Sequence, residues 1–284
     1  MGDSWQTCSE DVRRFVLNFI NELEEIIKGN SVGFYLHGSL AMGGFNPNSS
    51  DIDILIVTNK SLNMMKKREL AKLFLTYSTN PYPLEISVLT INHLTEWVHP
   101  CPFDFHYSEY WRKRYEEDLL HGTSNYLNDE LKTNPDLAAH ITITKTRGVC
   151  LKGQAIHSIF PSIPKAHYIS SILGDYYDCL NRIETDPVYC TLNLLRVYWY
   201  LREGVISSKE EASQWGIKSL PSDMAITVHK VAQRYRTVGK ADKLEAGELM
   251  RIREFIANKV QDLIILEGIT GGGQEETISE TNRS

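Results

Sequence analysis

The chain has 284 residues, 42% of them hydrophobic and 23% charged, with a formal net charge of −6. A chain of this length buries a sizeable core and is expected to hold two domains, because single cores rarely grow beyond about 250 residues. The acidic balance argues against general affinity for nucleic acid or anionic membrane and suits a cationic partner.

Ser9 precedes an amphipathic run in which Val12, Phe15, Val16, Phe19, Ile20, Leu23, Ile26 and Ile27 keep helical spacing, and Gly29 ends it. This predicts a packing helix with no chemistry of its own. Residues 32–37 are short, β-branched and aromatic, so they read as a buried strand that stops at Gly38. Gly38-Ser39 opens a tight turn, and residues 40–44 begin a short helix whose free N–H groups and Ser39 hydroxyl suit a phosphate. After a polar loop, residues 51–57 form a second strand in which Asp51 and Asp53 share one face while Ile52 and Ile54 enter the core.

Two carboxylates a few Å apart on a strand repel each other unless a cation lies between them, and hard oxygen ligands select Mg²⁺ or Mn²⁺. A phosphate seat beside a divalent site is the minimum equipment for phosphoryl or nucleotidyl transfer. Singly, each feature fits an ordinary turn and a solvated strand start; together and in this order they point to catalysis. Residues 64–77 predict a helix leading, past Pro81 and Pro83, to an apolar strand at 84–89 that carries Glu85.

Residues 97–111 mix prolines, aromatics, histidines and acids. Glu109, Tyr110 and Trp111 there suit either the wall of a site for a polyhydroxylated cation or a packed loop. Asp104 is a further acid available to such a site, and His99 and His106 read as structural. A helix is expected to begin at Pro135-Asp136-Leu137 and run towards Arg147, broken at Gly148 and Gly153. From about Lys165 onward strand signals vanish, and residues 167–182, 188–202, 208–215, 222–235 and 245–266 each fit a helix. The final 268–284 segment is polar and Gly-rich and is expected to be disordered.

The sequence Gly38-Ser39, a Gly-rich stretch, then Ser50-Asp51-Ile52-Asp53 resembles the nucleotidyltransferase signature of the polymerase-β superfamily. Within it, the chain is most similar to the aminoglycoside adenylyltransferases that modify spectinomycin and streptomycin. Leu194-Leu195-Arg196, the run from Gly204 to Lys209 and Ala212-Ser213-Gln214-Trp215 extend that resemblance into the helical half.

The resemblance implies an α+β fold: an N-terminal nucleotidyltransferase domain with a mixed sheet (1–155), a C-terminal helical bundle (156–267) and the 268–284 tail. It implies an Mg²⁺-dependent transfer of AMP from ATP to a drug hydroxyl, with Asp51, Asp53 and Glu85 as metal ligands and catalytic acids. Whether Glu85 binds metal or takes the hydroxyl proton stays open. Gly38, Ser39, Ser50, Arg196, Lys209 and Tyr235 match nucleotide-holding positions, and Asp186 and Tyr189 fall in the drug-recognition loop, joining Glu85, Glu109, Tyr110 and Trp111 as acceptor contacts.

That loop departs from the family, because Asp186-Pro187-Val188-Tyr189 replaces the usual string and also suits a helix cap. Tyr177 and Arg182 stand where streptomycin-accepting enzymes have Trp and Asp. Arg182 would repel a guanidinium-bearing drug, so spectinomycin, at its 9-OH, is the expected acceptor. The rival expectations are another acceptor, small molecule or protein, or a nucleotide sensor without turnover. The expected partners are ATP and a small cationic acceptor, with no nucleic acid and no membrane, in a monomer. The five cysteines, Cys8, Cys101, Cys150, Cys179 and Cys190, have no metal-ligand spacing and read as reduced thiols of a cytoplasmic protein. No signal-peptide pattern and no apolar run of about 18 residues is present, so neither secretion nor a membrane span is expected.

Overall fold

The computed structural model describes residues 2–128, 130–236 and 243–266; the 268–284 tail, expected to be disordered, lies outside them. Two units divide these residues, one spanning Asp3–Ile163 and the other beginning at Pro164.

In the first unit the order is α1 (Glu10–Ile26), β1 (Ser31–Leu36), α2 (Gly38–Met42), β2 (Ile52–Thr58), α3 (Met64–Tyr77), β3 (Leu84–Thr90), α4 (Ile91–Thr95), β4 (Cys101–Phe103) and β5 (Phe105–Tyr107). A 3₁₀ turn (Glu109–Trp111), α5 (Arg112–His121), β6 (Lys132–Asn134), α6 (Leu137–Arg147), β7 (Val149–Gly153) and α7 (Ile156–Ile159) follow. Caps fix the helix starts: the Ser9 hydroxyl accepts from the Val12 N–H at 3.3 Å, and the Asn63 side chain accepts from the Lys66 N–H at 3.0 Å.

One five-stranded sheet, ordered β5-β3-β2-β1-β7, organises this unit. Strands β2 and β3 are parallel and joined through α3, while the other pairings are antiparallel. Strand alternation then sorts the side chains onto two faces. Ile52, Ile54, Ile56, Leu84, Ile86 and Val88 pack in one core with Val16, Phe19 and Leu23 of α1 and Leu70 and Phe74 of α3. On the opposite face, Tyr35, Leu55, Val57 and Leu89 pack with Leu137 and Ile141 of α6. Asp53 and Glu85 have the parity of this second face.

Three features differ from the expectation. Strand β7 pairs with β1 where only a Gly-bounded break is read from the sequence. The 97–111 stretch resolves into β4, β5 and the 3₁₀ turn, and α5 follows it. Asp104 is not available to a drug site: it is buried beside Lys67, 3.4 Å from its Nζ, and accepts the Leu62 N–H at 2.6 Å. Its own N–H donates to the Val88 carbonyl, towards the end of β3 away from Glu85.

The second unit is helical: α8 (Lys165–Arg182), α9 (Pro187–Glu203), α10 (Lys209–Ser219), α11 (Ser222–Arg236) and α12 (Ala246–Leu266). Helix α9 is its axis. It buries Leu192, Leu194, Leu195, Val197, Tyr198 and Leu201, and the other four helices pack against it. Each such leucine contributes about 2 kcal/mol of apolar burial, so α9 tolerates polar residues only where they find partners. Among the described residues no helix is long and apolar enough to cross a membrane.

Candidate active site

The first unit brings the Gly38 turn and the acidic strands together through backbone pairing. The His37 N–H donates to the Asp53 carbonyl at 3.0 Å, which ties the end of β1 to the start of β2. Gly38 follows with φ +62°, and a Cβ there would lie 1.8 Å from Asp53 Oδ2. The carboxylate therefore rests over the turn in space that only glycine leaves. In the parallel register Asp53 is opposite Glu85, so the two acids occupy neighbouring strands on the same face. Asp51 stands one residue before β2, where the Ile52 N–H donates to the Pro83 carbonyl.

Ser39 Oγ is buried and has no hydrogen-bond partner. A buried hydroxyl in that state loses its solvation without compensation, and a phosphate oxygen at the turn would restore it. Ser50, by contrast, is engaged in its loop, where Oγ accepts the Asn46 N–H at 3.0 Å. Among the described residues no three His, Cys, Asp or Glu side chains form a ready metal cage. Mg²⁺ is commonly held by one or two carboxylates together with substrate phosphates and water, and Asp51, Asp53 and the orphaned Ser39 hydroxyl fit that mode.

A group of histidines, absent from the sequence expectation as a site, lies against these acids. His140 of α6 places Nε2 3.8 Å from Glu85 Oε1, and its ring packs on His37 at 4.9 Å between centroids. The buried Ser87 and His106 share a hydrogen bond of 2.9 Å on the paired strands β3 and β5. Burial, with His140 nearby, pushes His106 down to about 3 and His37 well below the ordinary imidazole value. The available signal was parity, since His37 lies two residues after Tyr35 and Ser87 two after Glu85, on the same face. Nothing in the sequence around His140 marks it.

The three neighbours suggested for the acceptor separate in role. Burial raises the Glu109 carboxyl, but hydrogen bonds from Arg112, Ser78 and Tyr107 outweigh it and hold the group below its usual range. Arg112 Nε donates to it at 2.7 Å and the Tyr107 hydroxyl at 3.0 Å, so Glu109 is committed to the fold. Tyr110 lies under the Arg114 guanidinium at 4.1 Å. Trp111 stacks on Tyr115 with centroids 5.7 Å apart, and its Nε1 is buried without a hydrogen-bond partner.

In the helical unit, Arg196 donates through Nε to the Ser207 carbonyl at 2.9 Å and through Nη1 to Asn193 Oδ1 at 3.0 Å. These contacts orient a guanidinium on the buried axis helix without neutralising it. Lys209 begins α10 beside a Ser208–Glu211 capping box, with Nζ 4.0 Å from the Tyr189 ring centre. Tyr235 packs at the edge of the helical core. Asp186 caps α9 by accepting the Tyr189 N–H, ahead of Pro187 in the first turn.

Arg182 lies 2.7 Å from Asp178 and 3.6 Å from Asp186, so two carboxylates face one guanidinium. Asp175, which carries no sequence signal, accepts the Tyr189 hydroxyl at 3.2 Å. Burial raises its carboxyl despite the pull of Arg196, Tyr189 and Lys209.

The nucleotidyltransferase domain family matches residues 16–123, and the family described as aminoglycoside adenylyltransferase, C-terminal domain, matches residues 158–261. With the acidic strands and the Gly-Ser turn in place, the chain is a nucleotidyltransferase. Its N-terminal half thus carries a nucleotidyltransferase domain and its C-terminal half the domain described for the aminoglycoside adenylyltransferases.

A spectinomycin 9-adenylyltransferase of Staphylococcus aureus is 26% identical over 240 residues, covering 82% of this chain and 88% of that protein. One of Campylobacter jejuni is 25% identical over 255 residues, covering 87% and 95%. An aminoglycoside (3'') (9) adenylyltransferase of Klebsiella pneumoniae is 23% identical over 253 residues, covering 84% and 89%. The same fold occurs in the crystal structure of an Enterococcus spectinomycin adenyltransferase solved with ATP and spectinomycin, at a TM-score of 0.72 and 19% identity, covering 88% of this chain and 99% of that one.

Proposed function

We propose that this enzyme transfers AMP from ATP to the 9-hydroxyl of spectinomycin. The observation that carries the chemistry is the Asp53 carboxylate resting over Gly38, in register with Glu85 and beside the orphaned Ser39 hydroxyl. The acceptor rests on relatives that are spectinomycin 9-adenylyltransferases.

In this reading the Gly38-Ser39 turn seats the triphosphate, and Asp51 and Asp53 face the phosphorus that reacts. Asp51, Asp53 and in one arrangement Glu85 would hold Mg²⁺, whose charge would offset that of the α-phosphate and of the departing pyrophosphate. Glu85 takes the proton of the attacking drug hydroxyl as its oxygen bonds to the α-phosphorus. The bond from that phosphorus to the bridging oxygen breaks, and pyrophosphate leaves. Arg196 and Lys209 are the nucleotide contacts proposed on the helical unit, with Tyr235 beside them in that role. Tyr110, Trp111, Asp186 and Tyr189 are proposed for the acceptor. The protein acts as a monomer in the cytoplasm, where ATP is supplied.

Streptomycin is the second acceptor, favoured by the pairing of Arg182 with Asp178 and Asp186. Pyrophosphate release by purified protein with ATP and Mg²⁺ tests both. Release with spectinomycin that Asp53→Asn lowers by about 10³-fold supports the reading. ATP binding without release with either drug contradicts it and leaves another acceptor or a sensor.

A further inference from the structure

Helix α6 touches the candidate site at two places through one of its faces. His140, Thr144 and Arg147 stand at i, i+4 and i+7, which is a single stripe on a helix. Arg147 donates to the Met42 carbonyl at 3.2 Å, near the end of the short helix that follows the Gly38-Ser39 turn. One turn earlier, the Thr144 hydroxyl donates to the His140 carbonyl at 2.7 Å. His140 then stands with Nε2 3.8 Å from Glu85 Oε1, both side chains only 17% exposed. Leu137 and Ile141, at i,i+3 spacing to His140 and Thr144 and so beside the stripe, anchor α6 in the core, which fixes the stripe relative to the sheet.

This arrangement answers a problem set by the strand register. Asp53 and Glu85 are neighbours on parallel strands, and like charges at that spacing drive the longer, freer side chain away. Glutamate has three side-chain torsions, and a displacement of about 1 Å at a reacting group costs on the order of 10²-fold in rate. An imidazole close to one carboxylate oxygen opposes that displacement. The ring itself is confined, because His37, buried immediately before the Gly38 turn, packs on it at 4.9 Å.

The geometry points to His140 as a positioning residue: through Nε2 it holds the Glu85 carboxylate in its working place, and α6 thereby fixes Glu85 and the phosphate turn in one frame. The inference rests on the adenylyl-transfer reading for its kinetic consequence, but the place of Glu85 can be read without turnover.

The test compares three substitutions in the full-length protein. His140→Leu removes the donor and lowers kcat by about 10²-fold, with KM for ATP changed by less than about threefold. His140→Gln sets an amide nitrogen where Nε2 stands and recovers most of the loss, whereas His140→Asn reaches only the Nδ1 position and does not. In a Glu85→Gln background, His140→Leu adds less than about threefold, because the two residues act as one unit. Crystal structures of the Leu and Gln variants provide the second readout, with Glu85 turned away in the first and retained in the second. Equal kinetics for Gln and Asn, or Glu85 unmoved in the Leu variant, overturn the inference. A wild-type protein silent towards both drugs overturns the adenylyl-transfer reading instead, and the crystal comparison still decides His140.

Discussion

In the sheet-bearing unit the candidate acids sit on strands, where register alone sets Asp53 beside Glu85. In the helical unit the candidate polar residues sit at helix ends and along a buried axis, where capping and packing compete for the same side chains. Asp186 illustrates the competition: it caps α9 and lies 3.6 Å from Arg182. A strand pair presents its acids through register, whereas a helix terminus consumes acids for its own free N–H groups.

The largest expected effect breaks the strand geometry directly. Gly38→Ala places a Cβ where Asp53 Oδ2 now lies and forces an alanine to φ +62°. Turnover is expected to fall by about 10²-fold or more from the displaced carboxylate, with a stability loss of about 1–2 kcal/mol from the left-handed backbone. Kinetics and thermal melting separate the two, and unchanged turnover would show that the turn and Asp53 do not work together.

A second prediction uses the opposite responses of the two units to acid. His106 has a folded value of about 3 against an ordinary 6.5. As pH falls below 6.5 the unfolded chain takes a proton that the folded chain refuses, so this group removes about 1.4 kcal/mol of stability per pH unit down to about 3. His37, displaced in the same direction by burial, steepens the slope. Asp175 in the helical unit is raised instead; its stabilising contribution is present below about 3.8 and is lost as pH rises through its folded value. Urea unfolding at pH 7 and 5 should therefore show a loss that His106→Asn reduces by about 2 kcal/mol. An identical pH difference in the variant would contradict the buried neutral imidazole.

The smallest effect sharpens the reading of Asp186. Asp186→Ala should cost about 1 kcal/mol as a lost cap, and Asp186→Asn should restore it because asparagine caps equally well. If Asp186 also meets a cationic acceptor, the Asn variant keeps its stability yet raises KM for the drug. A normal KM in that variant assigns Asp186 to the fold alone.

Much of the sheet-bearing unit was legible because strand period and turn chemistry are local: Gly38-Ser39, the 51–57 strand and Glu85 can be placed by counting alternation. Five helices of the second unit were legible from apolar spacing. Strand β7 was not, since its five residues, Val149–Gly153, carry too little pattern to distinguish a strand from a break. Asp104 was misread because the aromatic composition around it says nothing of where β5 lays it along β3. His140 and Asp175 were invisible for a related reason: each lies inside an ordinary helix, and only tertiary packing brings it to Glu85 or to Tyr189.

The most direct measurement is the mass of spectinomycin after incubation with ATP, Mg²⁺ and either the wild-type protein or Glu85→Gln. The drug should gain one adenylyl group with the wild type, and the variant, folded and still binding ATP, should form product slower by about 10²-fold or more. Equal product from both proteins would remove Glu85 from the reaction and contradict the role assigned to the paired strands.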